Sequence, residues 1–309
     1  MANEHQYHHS VLPKYDTLLF DVDDTLYSST TGFSKQCSNN ILGYFSYFFI
    51  KSNISFICSF ISKNSAEFMV EKLGIPETET SQLNQILYNN YGTSMAGLKA
   101  IGYGFDDDEY HSYVHGRLPY QNLKPDPLLR NLLLSLPMRK IIFSNADKIH
   151  VAKVLRKLQL EDCFERIISF EILNPPPIHK TVITCNAKND NEIKLLRAEL
   201  MADQLPKTPT TCKPFQHSFQ KAFNYANINP KTTIFFDDSV RNIQAGKRMG
   251  LTTVLVGSSD RISGADYAFG SIHNIKEAMP QLLEPNHKKK KETIYCNANN
   301  VSIETSVPA

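Results

Sequence analysis

The sequence is poor in net charge. Its 33 Lys and Arg nearly balance 31 Asp and Glu, leaving +2 over 309 residues. No field of one sign steers the chain toward nucleic acid or a membrane surface. Paired cysteines are missing as well. Cys37, Cys58, Cys163, Cys185, Cys212 and Cys296 form no CxxC pair, and the scattered Cys and His residues show no ligand-like spacing for structural zinc. No apolar leader opens the chain, since Met1 to Ser10 is polar and rich in His. Reduced thiols in a cytoplasmic protein are the expectation. Gly97, Gly102 and Gly104 match neither a P-loop nor a dinucleotide fingerprint and read as turns.

One stretch lacks any period. Leu42 to Ser65 is built almost wholly of Phe, Ile, Tyr, Ser, Asn and Lys, with neither helical nor alternating order. As a membrane span it would carry Lys51, Ser52 and Asn53 at its middle, where charge is costly. A single crossing would also divide the chemistry described below between two sides of a membrane. As a cap elaboration it has no face for a helix to bury. Such a mixture is what AT-rich noncoding sequence yields when translated in frame. Joining Asn40-Ile41 to Ala66-Glu67-Phe68 restores a continuous helix. The segment reads as a retained intron or an error of gene prediction, with an exposed apolar excursion expected wherever it is present.

What the sequence does hold is a strand driving into carboxylates: Leu18-Leu19-Phe20-Asp21-Val22-Asp23-Asp24-Thr25. The apolar run suits a strand buried on both faces of a parallel sheet. Asp21 and Asp23 stand two apart, so both point to one side of an extended backbone. Like charges so placed repel and resist burial. A hard divalent cation between them is the natural remedy, and Mg²⁺ is the usual one beside a phosphate.

Further along, Lys140 to Phe143 is a second buried strand ending at Ser144-Asn145. Ile167 to Phe170 is a weaker third. Thr233 to Phe236 is a strand ending at Asp237-Asp238, and Thr252 to Val256 is another. Helices are expected at Ser81–Tyr91, Met95–Ile101, Glu109–His115, Asp126–Leu134, His150–Leu158, Phe215–Ala226, Asn242–Arg248 and Ile275–Leu283. Strands alternating with helices imply a parallel sheet with right-handed crossovers, and ligands of such sheets sit beyond the carboxyl ends of the strands. Asp21/Asp23, Ser144/Asn145, Asp237/Asp238 and Lys213, at a helix start, should therefore converge on one crevice. Carboxylates, a hydroxyl and a cation are the parts that phosphoryl transfer needs. Each has a plainer reading: a turn for Asp23 or Asp24, a helix cap for Asp238 or Ser144, a surface position for Lys213. His111, His115, His150 and His217 read as surface or cap residues.

The four motifs in this order resemble the haloacid dehalogenase (HAD) superfamily: Asp21-Val22-Asp23-Asp24-Thr25, Ser144, Lys213 and Asp237-Asp238. The resemblance runs from Tyr15 to Leu283 apart from 42–65 and 174–211. Tyr27, Ser144-Asn145-Ala146, Cys212-Lys213-Pro214 and Phe236-Asp237-Asp238-Ser239 resemble the fungal and plant pyrimidine 5′-nucleotidases within it.

The resemblance implies an α/β fold, a Rossmann-like parallel sheet with a small all-helical cap inserted after the first strand. The core would comprise 1–27 and 120–284 and the cap 28–119, with an irregular loop at 174–211 and a disordered tail at 285–309. It implies a Mg²⁺-dependent phosphomonoesterase, with a pyrimidine nucleoside 5′-monophosphate as small-molecule partner. Asp21 would be the nucleophile. Asp23 would be the general acid and base, protonated when substrate binds. Ser144, Asn145 and Lys213 would hold the phosphate. Asp21, the Asp23 carbonyl and Asp238 would hold the metal, with Asp237 close by. A sugar-phosphate or pyridoxal-phosphate phosphatase and a non-catalytic scaffold stay open. Lys288 to Lys291 would serve a solvated tail or a nuclear-localisation patch.

Overall fold

The computed structural model describes residues 15–33, 35–37, 85–101, 105–176, 205–260 and 262–283. The 42–65 segment, the middle of the 174–211 loop, the helix expected through Ala66-Glu67-Phe68 and the 285–309 tail lie outside the described residues.

Six parallel strands form the sheet: β1 Thr17–Phe20, β2 Arg139–Phe143, β3 Arg166–Ile168, β4 Thr233–Asp237, β5 Thr252–Val256 and β6 Tyr267–Phe269, in the order β3-β2-β1-β4-β5-β6. The helices are α1 Ser94–Ala100, α2 Asp107–Gly116, α3 Pro127–Ser135, α4 Lys148–Leu158, α5 Phe170–Leu173, α6 Gln216–Ala226, α7 Val240–Arg248 and α8 Ile275–Ala278. A further helical stretch covers 85–91.

The sheet is apolar on both faces because helices cover both. Leu18 and Phe20 face one hydrophobic cluster, and Leu19 faces the other with Ile141, Phe143 and Phe235. Phe20 stacks on Phe236 of the neighbouring strand, with centroids 4.6 Å apart. Phe20 pairs with Ile142 on one side and Phe236 on the other. The chain segments after β1 and β2 and the end of β4 therefore leave the sheet at one level. That register places Asp21, Ser144 and Asp237 side by side at the carboxyl edge.

A third cluster lies over that edge. Leu87, Tyr91, Met95, Leu98, Tyr110 and Val114, from the 85–91 stretch, α1 and α2, pack together and reach the sheet domain through Phe170 and Cys212. This is the region where a helical cap was expected. Gly97 is no turn: it sits inside α1, where a Cβ would come within 2.6 Å of Leu87 Cβ. Close approach of two helices, not backbone freedom, is its role.

Three element boundaries depart from expectation. Ser169 ends the third strand, and Phe170 opens α5 instead of continuing β3. The last helix breaks after Ala278, because Pro280 lacks the N–H that an α-helix needs, and a 3₁₀ turn at Pro280–Leu282 follows. Strand β6 is three residues long, too short for a period. The two ends of the 174–211 loop are tied by the Asn174 side chain, which donates to Thr211 O (2.9 Å) and accepts from Thr211 N (2.7 Å). Among the described residues no helix is long and apolar enough to cross a membrane.

Candidate active site

Lys213 is the centre of the core side. Its ammonium is buried and donates to Asp21 Oδ1, Asp237 Oδ2 and the Phe143 carbonyl, each at 2.7 Å. The three protons of an ammonium are thus fully used. Asp237 is held in turn by Asn242 Nδ2 (3.0 and 3.1 Å) and by the backbone N–H of Ser239 (2.9 Å). Asn145 fixes the lysine backbone: its side-chain oxygen accepts from Lys213 N at 2.8 Å and its amide donates to Lys213 O at 3.0 Å. The Asn145 side chain is thereby turned to Lys213. Ser144 is buried, with Oγ accepting from Ala146 N at 3.1 Å. It does not cap α4, whose cap is Asp147. Asp238 is no helix cap either, since α7 starts from Ser239. Asp24 adopts φ 57° and makes the turn after the carboxylates.

The core side carries more negative charge than Lys213 can offset. Burial pushes Asp21 up, Lys213 pulls it down, and Asp237 and Asp23 push it up again, to about 7. Burial, followed by Asp237, Asp21 and Asp24, pushes Asp238 to about 9. Carboxylate oxygens of Asp21, Asp237 and Asp238 lie within 4.8 Å of one another. An oxygen-only cluster with unmet negative charge fits a hard divalent cation.

Asp23 lies in a different environment. It accepts from the Tyr27 hydroxyl and, at 2.8 Å, pairs with Nε2 of buried His150. Burial works to raise its pKa, but the charge and hydrogen bond of His150, then Tyr27, outweigh it and leave about 2. Burial works to lower His150, and Asp23 more than reverses it. The Tyr120 hydroxyl donates to the His115 carbonyl at 3.1 Å and lies 2.8 Å from His150 Nδ1. With that hydroxyl proton on the His115 carbonyl, Tyr120 Oη is placed to accept from Nδ1–H, an arrangement that suits a protonated His150. The expectation of a protonated Asp23 concerns the moment substrate binds; here His150 holds Asp23 down and Asp23 raises His150, so the pair carries its proton beside the nucleophile candidate.

The histidines correct an expectation. His111 and His150 are buried and His115 is half-buried; His217 alone of the four is exposed, as expected. The sequence held a signal, since His111 and His115 stand four apart on α2 and so share one face. His115 Nδ1 meets Asp147 Oδ2 across the junction between α2 and the sheet domain.

A cavity of about 430 Å³ runs between the two sides, lined by Asp21, Asp23, Ser144, Lys213, Asp238 and His111 among others. That is room for a small-molecule ligand. Two contacts between the helical region after β1 and the sheet side frame it. Arg241 of α7 donates to the carbonyls of Tyr88 (2.6 Å) and Asn89 (2.8 Å). Gly92, at φ 81°, packs so closely that a Cβ would lie 2.3 Å from Lys213 O.

A parallel sheet with a buried lysine and carboxylates at its carboxyl edge defines a class, and comparison with known proteins agrees. The haloacid dehalogenase-like hydrolase family matches residues 15–250. The chain belongs to that family. Among individual proteins it is similar to Phosphate metabolism protein 8 of Saccharomyces cerevisiae, 26% identical over 163 residues. That match spans 50% of this chain and 43% of the yeast protein. Among solved structures it is similar to YfnB of Bacillus subtilis, solved bound to magnesium, at 17% identity and TM-score 0.44, covering 85% of this chain and 98% of that one. It is also similar to CbbY of Rhodobacter sphaeroides, solved with phosphate, at 13% identity and TM-score 0.45, covering 84% and 96%.

Proposed function

We propose that this hydrolase is a Mg²⁺-dependent phosphomonoesterase working through a phosphorylated Asp21, with a nucleoside 5′-monophosphate, in particular a pyrimidine one, as substrate. The observation that carries the phosphate reading is the Asp23–His150 pair beside Asp21. Displacing a halide from carbon needs no proton, because halide is a weak base. Displacing an alkoxide from phosphorus needs one, and a protonated pair next to the nucleophile supplies it.

Asp21 attacks phosphorus and the ester oxygen leaves. As charge grows on that oxygen, the proton of the pair passes from His150 Nε2 to Asp23 along their 2.8 Å bond and from Asp23 to the leaving oxygen. Water then attacks the acyl phosphate, with Asp23 taking its proton, and phosphate departs. Lys213 draws Asp21 toward its anionic form against burial and the neighbouring carboxylates, and Ser144 offers its hydroxyl to a phosphoryl oxygen. Asn145 and Asp237 hold Lys213 in place. Asp21, Asp238 and the Asp23 carbonyl would hold Mg²⁺ with Asp237 at its edge, and the ion supplies charge neutralisation for the incoming phosphate.

The test is a panel: UMP and CMP, purine monophosphates, sugar phosphates, pyridoxal phosphate, p-nitrophenyl phosphate and a 2-haloacid. The proposal expects kcat/KM to be greatest for UMP and CMP. Higher kcat/KM on a sugar phosphate or pyridoxal phosphate would overturn the nucleotide assignment and keep the chemistry. Turnover of the haloacid alone would overturn both.

A further inference from the structure

Beyond the oxygen-lined site, we propose that His111, His115 and Asp147 form a second cation site, for a borderline transition ion of the zinc class, that ties the cap helix α2 to the sheet domain.

Three observations converge. First, one nitrogen of each histidine and one Asp147 oxygen lie within 4.8 Å of one another. His111 Nδ1 is 3.6 Å from Asp147 Oδ2. Two metal–ligand bonds of about 2.0–2.2 Å meeting near the tetrahedral angle span a gap of that order. Second, His111 is only 7% exposed, and neither of its ring nitrogens has a hydrogen-bond partner among the described residues. Buried polar atoms are nearly always satisfied, and an imidazole directed at a carboxylate with neither nitrogen hydrogen-bonded calls for a partner that a bound ion would supply. Third, the ligands are pre-set. The two histidine rings lie nearly parallel, 24° apart with centroids 5.3 Å apart, as four-residue spacing on one helix gives. Asp147 Oδ1 is fixed by accepting from His150 N at 2.9 Å, which leaves Oδ2 for the site.

The protonation states suit a ligand set. Burial, then the charge of His115, lowers His111 to about 3, so its imidazole is neutral and its lone pair free. Asp147 stays ionised, because the pull of His115 and His111 overrides its burial. For the ion to enter, His115 gives up its Nδ1 proton to solvent, keeping the one on Nε2, and its direct contact with Asp147 opens.

Two imidazoles and one carboxylate discriminate against Mg²⁺, which demands oxygen and octahedral geometry. Zn²⁺ accepts this mixture and leaves a fourth position, toward the cavity that His111 and His115 line. Because α2 belongs to the cap and Asp147 to the sheet domain, occupancy would hold the cap down over Asp21 and Asp23. The site does not depend on which ester is hydrolysed, or on whether Asp21 is the nucleophile.

The test uses full-length protein stripped with chelator, then kept in excess Mg²⁺. Co²⁺ reports by its visible absorption, which is intense only in four-coordinate sites, and Zn²⁺ reports by competition and by the melting temperature. The proposal expects one Co²⁺ per chain with tetrahedral bands, displaced by Zn²⁺, and a rise in melting temperature. It expects both to persist in Asp238→Asn and to weaken at least 10-fold, the low end of what even outer partners of a metal cost, in His111→Leu and in His115→Gln. Absence of the Co²⁺ bands in wild-type protein overturns the proposal without reference to any variant. So does a Co²⁺ signal lost in Asp238→Asn and kept in both histidine variants, which would place the ion at the oxygen cluster.

Discussion

The two walls of the cavity solve opposite electrostatic problems. On the core wall, Asp21, Asp237 and Asp238 surround one lysine, and burial and mutual repulsion push Asp21 and Asp238 upward. On the facing wall, Asp23 and Asp147 are each matched by imidazoles and held down. The first wall has more carboxylates than cations, whereas on the second each carboxylate faces imidazole nitrogens. On the proposed reading the contrast divides the labour: the first wall would collect a metal and a phosphate, and the Asp23–His150 pair of the second would manage a proton.

Breaking the core wall should have the largest effect. Asp21→Asn keeps the shape and the contact to Lys213 but removes the nucleophile. Turnover should fall by about 10³-fold or more while circular dichroism stays native. Retained turnover would take Asp21 out of that role.

The metal is next. Activity should vanish in chelator and return with Mg²⁺, and Ca²⁺ should inhibit, because its looser and higher coordination displaces Asp21 from phosphorus. Equal rates with the two ions would contradict the oxygen cluster as a Mg²⁺ site.

Gly92→Ala strikes the junction of the walls. Its methyl would overlap Lys213 O, so Lys213 or the cap must move. A shift of about 1 Å at a catalytic group can cost about 10²-fold. Steady-state kinetics on p-nitrophenyl phosphate measures it, and unchanged kcat/KM would show that the cap yields instead.

The smallest effect concerns the second wall and pH. His111 has a folded pKa of about 3, against about 6.5 in the unfolded chain. Between those values the unfolded chain binds a proton that the folded chain refuses. Stability should therefore fall on acidification below about pH 6.5, by at most about 1.4 kcal/mol per pH unit. His150 has the opposite sign: its folded pKa is raised, so its contribution is full below about pH 6.5 and is lost as pH rises through the folded value. In chelator, His111→Leu should flatten the acid limb of melting temperature against pH. An unchanged limb would remove His111 as its source.

The same contrast explains what was legible in the sequence. The core wall could be read because each of its groups follows a buried strand, and a parallel sheet brings strand ends together. Asp21, Ser144 and Asp237 needed only topology. Lys213, at the start of α6, needed the family pattern as well. Of the second wall only Asp23 could be read, because the pairs join distant parts of the chain without a shared element. His150 meets Asp23 across 127 residues and His115 meets Asp147 across 32. Neither contact follows from a period. Gly97 was opaque for a related reason: what matters there is the neighbour a side chain would strike, Leu87, and at Gly92 a left-handed backbone adds to the approach of Lys213.

The central claim is that phosphate passes through Asp21. Asp23→Asn should test it directly. p-Nitrophenolate leaves without a proton, so phosphorylation should still proceed, whereas hydrolysis of the acyl phosphate loses its base. Acid-quenched Asp23→Asn protein exposed to p-nitrophenyl phosphate and Mg²⁺ should carry one alkali-labile phosphate, located by mass spectrometry on Asp21. A burst of p-nitrophenolate with no protein-bound phosphate, or with phosphate on Ser144, would contradict the account.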